Sequence, residues 1–121
     1  MEHLEKFYTS VGSSLQEVAA RLGGASALVE RFLAKFKSDE SFSRLQNALE
    51  NGAVKDAFRE AHTLKGLCAN LGLQNLFEQA RDITELLREE NLEAAKQSFP
   101  ALKKEYMHVI AAMDESHIGQ G

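Results

Sequence analysis

Cysteine occurs once in the 121 residues, at Cys68, proline once, at Pro100, and tryptophan not at all. A single cysteine excludes an internal disulfide and any zinc site built on several thiolates. A single proline suits a mostly helical chain, because proline breaks the helical hydrogen-bond ladder. No apolar run approaches the roughly 20 residues of a membrane span. No stretch alternates apolar and polar residues between turn signals, as a half-buried strand would. A basic excess is missing too. There are 14 Lys+Arg against 18 Asp+Glu, a net charge of -4, which is the wrong sign for general nucleic-acid binding. The opening MEHLEKFYTS is charged and has no apolar centre, so no secretory signal is expected. These absences predict a reducing, cytoplasmic compartment, with neither nucleic acid nor membrane as partner.

What is present is globular: 44% hydrophobic and 26% charged residues. The length predicts a single domain over residues 1–121. Leu4, Phe7, Val11, Leu15, Val18 and Leu22 recur at helical spacing, interrupted by Gly12 and Ser13-Ser14 and ended by Gly23-Gly24. Leu28, Phe32, Leu33 and Phe36 form the next stripe, which continues after a kink through Phe42, Leu45 and Leu49. Ser38 is the expected N-cap of that continuation, and Asn51-Gly52 stops it. A helix over 53–71 follows, with Gly72 in a left-handed C-terminal position. Leu76, Ala80, Ile83 and Leu87 mark another helix, and Asn91 is placed to cap the last, in which Pro100 should produce a bend or a split.

Short connections make neighbouring helices antiparallel. The expected fold is therefore all-α, an antiparallel four-helix bundle with an N-terminal helical segment. Its core covers about residues 25–114, with 115–121 as a frayed tail.

One segment departs from plain bundle patterning: Ala61 to Leu73, AHTLKGLCANLGL. On a wheel of about 100° per residue, Ala57, Leu64 and Cys68 cluster with Ala61, and His62 stands at the edge of that stripe. Gly66 and Ala69, one and two turns on, share the flank of His62, and Lys65 lies between flank and core. Phe58, Lys55 and Arg59 lie on the other side of His62 along the same face. A mid-helix glycine costs about 1 kcal/mol against alanine. Gly66 therefore serves either close packing of a neighbouring helix or close approach of another surface beside His62. A neutral imidazole is a good nucleophile near neutral pH. A phosphoryl group on it could be offset by an ammonium one turn away, and in-line transfer needs clear ground around it.

These residues resemble the signature of histidine-containing phosphotransfer (HPt) domains: His, any residue, an aliphatic, Lys, Gly, then small residues and a further Gly. Here they are His62, Leu64, Lys65, Gly66, Ala69 and Gly72. The resemblance also takes in helix order over nearly all of residues 1 to 115. It implies a phosphocarrier without a kinase site of its own. Such a carrier accepts phosphate from a receiver-domain aspartate or a kinase and passes it to another receiver. By that resemblance His62 is the phospho-acceptor, Lys65 the charge partner and Gly66 the clearance residue. Gly66, Ala69, Phe58, Arg59 and Arg88 are the expected receiver-docking surface. Family members often carry polar or basic side chains on the following helix facing the histidine. Arg81, Thr84 and Arg88 stand at spacings of three and four there, as such a set or as a solvated, ion-paired face. The glutamine or glutamate that some members have near Arg81 or Thr84 is missing, which leaves the orientation of the His62 ring open.

The implied partners are response-regulator receiver domains and a sensor or hybrid histidine kinase. The chain itself is expected to be a free-standing monomer and not an enzyme. No cofactor is expected on it, because the Mg²⁺ belongs to the receiver. A second reading is a helical adaptor that docks signalling domains through the same face without chemistry. A third, a metal-binding bundle, finds little support. His3, His62, His108 and His117 form no i,i+3 or i,i+4 ligand pair that points inward, so no metal is expected. His3 and His117 are expected to be solvated, and Cys68 to be a small buried hydrophobe.

Overall fold

The structure is a computed structural model and describes residues 2–119. Seven helices run through them: α1 (Glu2–Ser10), α2 (Leu15–Arg21), α3 (Ser26–Ser38), α4 (Ser41–Glu50), α5 (Val54–Leu71), α6 (Gln74–Arg88) and α7 (Leu92–Glu115). The described chain is all-α, as the periodicity predicts.

Helix α5 is the centre of the packing. It lies against α4 and α6 most extensively, and also against α2 and α3, while α7 packs on α6 and reaches back to α4. The small buried residues Ala57 and Ala61 let neighbours approach, and Leu64, Cys68 and Leu71 complete the buried face of α5. The return of α7 to α4 is carried by rings. Phe42 stacks on Tyr106 with centroids 3.9 Å apart and on Phe99 at 5.4 Å.

The turn from α5 into α6 takes two residues. Gly72 adopts φ +67°, and Leu73 N–H donates to the Cys68 carbonyl at 3.0 Å. The N-terminal segment seals this turn. Tyr8 Oη donates to the Leu71 carbonyl at 2.8 Å, and Ser13 Oγ donates to the Gly72 carbonyl. Val18 lies so close to Gly72 that a Cβ there would overlap its Cγ2. The C-terminal half of α5 is thereby enclosed on the side away from His62.

Several expectations need correction. Ser38 closes α3 instead of capping α4, its hydroxyl donating to the Lys35 carbonyl. The cap position of α4 is Glu40, which makes no side-chain cap bond, and Asp39 before it accepts from Ser41 N–H at 2.9 Å. Pro100 does not split α7, which runs unbroken from Leu92 to Glu115. Both Pro100 and Lys96 are exposed, so water can satisfy the Lys96 carbonyl that proline leaves without a donor. The tail is not loose as far as Gly119. Ile118 and Ser116 are buried, and Ile118 N–H donates to the Met113 carbonyl at 2.9 Å. Gln120 and Gly121 lie outside the described residues. His3 is not simply solvated but pairs with Glu30. Asn91 does cap α7, accepting from Ala94 N–H at 3.2 Å.

Candidate functional site

Helix α5 places its buried stripe inward and leaves one face uncovered, and His62 stands exposed on that face. The flank after it is bare. Gly66 is exposed with nothing within 4 Å of where a Cβ would be, and Ala69 is exposed one turn further. Close packing of a neighbouring helix therefore cannot be the reason for glycine at 66. A mid-helix glycine that costs stability and relieves no contact within the fold fits the approach of something from outside. Lys65 is half-buried between this flank and the core, as the wheel places it. It makes no ion pair among the described residues.

On the other side of His62 the surface dips into a groove of about 560 Å³. Val54, Phe58 and Leu87 give it an apolar floor, and Lys55, Arg59 and Arg88 stand around it. Glu90 lines it too, and Asp56 and Glu85 stand beside Arg59 and Arg88, so the rim is charged with both signs. Arg59 leans on Asp56 at 3.4 Å and Arg88 on Glu85 at 3.2 Å, both exposed pairs of small energetic weight. Of the residues singled out from sequence, the structure brings Phe58, Arg59, His62 and Arg88 together along the groove, with Gly66 and Ala69 on the opposite flank. Val54, Thr63, Leu87 and Glu90 complete the groove; Leu87 reads in the sequence only as a helix-stripe residue, and none of the four is an expected site residue. Glu90 is reached because the chain leaves α6 through a left-handed residue there, φ 59°.

The set Arg81, Thr84 and Arg88 does not share one exposed face. Thr84 is fully buried, its hydroxyl donating to the Ala80 carbonyl at 2.6 Å. Arg81 turns to Asp82 at 3.3 Å and lies 5.8 Å from the Phe77 ring centroid. Only Arg88 of the three lines the groove beside His62. Leu67, five residues after His62 and so about 140° round the helix from it, lies on the far side of α5 with Leu22 and Phe32.

The other nucleophile on α5 is out of play. Cys68 is buried, and burial pushes its thiol far above the ordinary range, so it stays protonated. No three or more of His, Cys, Asp and Glu are grouped as metal ligands among the described residues. No helix among them is long and apolar enough to cross a membrane.

Among known families, the Hpt domain family model matches residues 27–112. The match takes in α4, α5, α6 and nearly all of α3 and α7, and so includes His62, Lys65 and Gly66. It leaves out α1 and α2, so the family pattern is narrower than the span of 1 to 115 expected from the sequence. No curated protein and no solved structure matches the chain.

Proposed function

The chain belongs to the Hpt domain family, and from that membership we propose that it carries a phosphoryl group on His62 between receiver-domain aspartates, or from a histidine kinase to a receiver. Hpt domains are phosphocarriers of two-component phosphorelays. The observation that supports this role for His62 is its setting: an exposed imidazole with an open, side-chain-free flank at Gly66.

The proposed step is a phosphoryl exchange between two side chains. A lone pair of neutral imidazole attacks the phosphorus of the receiver's aspartyl phosphate. The N–P bond forms as the acyl P–O bond breaks, and aspartate leaves as carboxylate. The other ring nitrogen releases its proton to solvent. Transfer onward to a second receiver is the reverse. Lys65, which makes no ion pair among the described residues, offsets the charge that arrives on His62. Gly66 and Ala69 let the receiver surface come close enough for in-line approach. The groove of Phe58, Arg59 and Arg88 offers it an apolar contact with a charged rim. The receiver, with the Mg²⁺ it holds, supplies most of the transition-state stabilisation, and this chain adds no cofactor. The carrier acts as a cytoplasmic monomer over a single domain of residues 1–121.

His62→Gln tests the assignment. Removing an exposed imidazole should leave stability within about 0.5 kcal/mol, and transfer from a phosphorylated receiver should vanish. Phosphate uptake by the variant would move the site elsewhere. Receiver binding without phosphate uptake by the parent would favour the non-transferring adaptor.

A further inference from the structure

No hydrogen bond reaches either nitrogen of the His62 imidazole from the described residues. The ring is held by a face instead. Phe58, one turn earlier on α5, stacks on it with centroids 6.0 Å apart and planes 20° apart. The Arg88 guanidinium from α6 lies 5.0 Å from the centroid of the same Phe58 ring. Glu85 in turn holds Arg88 at 3.2 Å. A line of contacts thus runs from α6 to the imidazole through Glu85, Arg88 and Phe58.

We infer that Phe58, braced by Arg88, is the positioning residue for His62, setting the plane of the imidazole by stacking where no hydrogen bond sets it. The inference rests on the reading of His62 as the phospho-acceptor. An exposed histidine on a helix has two accessible χ1 wells, and its χ2 is broad and two-fold. In-line transfer needs more than that, because the attacking lone pair lies in the ring plane and must aim at phosphorus. A stacked neighbour selects the plane and leaves both nitrogens open to the donor, whereas a hydrogen bond would occupy one of them. A half-buried Phe58, anchored in the groove and overlaid by a cation, is itself restrained. Arg88 therefore acts on His62 at one remove, through an aromatic ring, from another helix.

The test uses the full chain as Phe58→Leu, Phe58→Tyr and Arg88→Gln. Three-bond couplings report the His62 χ1 distribution, and ring–ring Overhauser contacts report the stack. Transfer from a phosphorylated receiver is then measured over a range of receiver concentrations. Phe58→Leu should spread His62 over its χ1 wells and lower the saturating transfer rate about two- to tenfold. Because Phe58 also lines the docking groove, the half-saturating receiver concentration is read separately, and the fall in saturating rate is what reports positioning. Phe58→Tyr should restore both couplings and rate, and Arg88→Gln should fall between. Unchanged His62 couplings in Phe58→Leu would overturn the inference. So would a loss confined to the half-saturating concentration, which would make Phe58 a docking residue only. If Phe58→Leu does not fold, Arg88→Gln decides alone, and parental couplings there overturn the proposal. A parent that takes up no phosphate would defeat the functional reading, while the couplings would still decide the stack.

Discussion

Gly66→Gln separates two explanations of one residue, because stability and function should move in opposite directions. Gly66 lies twelve residues into an eighteen-residue helix, has no left-handed φ, and has open space where a side chain would start. A side chain starting there meets nothing at its Cβ and points from an exposed position. Replacing glycine by a good helix former at such a position should stabilise the protein by about 0.5–1 kcal/mol, through lost unfolded-state entropy and better propensity. For a domain of this length that raises the melting temperature by about 2–5 °C. The same side chain stands one turn from His62, on the flank where a receiver must settle. Transfer to His62 should therefore fall by orders of magnitude while the domain melts higher. Urea denaturation and a receiver phosphotransfer assay on one purified variant give both numbers. Gly66→Ala, which adds a single methyl, should gain the stability and lose far less transfer. A destabilised glutamine variant, or a stabilised one with undiminished transfer, would refute the clearance argument.

Lys65→Ala should shorten the lifetime of the phosphorylated form and slow transfer by about two- to fivefold, with stability within about 0.5 kcal/mol of the parent; transfer at the parental rate would make Lys65 an ordinary surface residue. Gly72→Ala combines a left-handed φ of +67° with overlap onto the buried Val18, and should cost about 2–5 kcal/mol in denaturation, strain and overpacking together. Alkaline pH should unfold the protein progressively, because burial pushes Tyr8 and Cys68 well above their ordinary ranges. With folded values above unfolded ones, the folded state holds more protons, so this stability is present at neutral pH and is lost as pH climbs past about 9–10. Tyr8→Phe should cost about 1 kcal/mol at neutral pH by removing the hydroxyl that donates to the Leu71 carbonyl, and should flatten the alkaline loss measured by denaturation against pH.

The parts of the site that share one helix were legible, because helical phase alone fixes who stands beside whom. His62, Lys65, Gly66 and Ala69 fall where a wheel puts them, and Gly72 and Asn91 act as caps with residue types that name their geometry. What depends on two elements was not legible. Thr84 reads as polar, yet its hydroxyl is satisfied within its own helix by the Ala80 carbonyl, and that lets it sit in the core. Ile118 is a lone apolar residue past the end of a helix, with no period to betray it, and it is buried all the same. Ser38 and Asp39 are both good caps by type, yet α4 starts after Glu40, and only the backbone path decides that. Phe58 could be placed one turn from His62 on the wheel, but Arg88 reaches it from another helix, and no spacing along the chain encodes that contact.

The most direct test of His62 as phospho-acceptor is to mix the protein with a phosphorylated receiver domain and characterise any phosphate that appears on it. Acid-labile, base-stable phosphate that maps to the α5 peptide containing His62, and is missing from His62→Gln, is the predicted result. Phosphate that survives acid, maps outside that peptide, or persists in the variant would contradict the account.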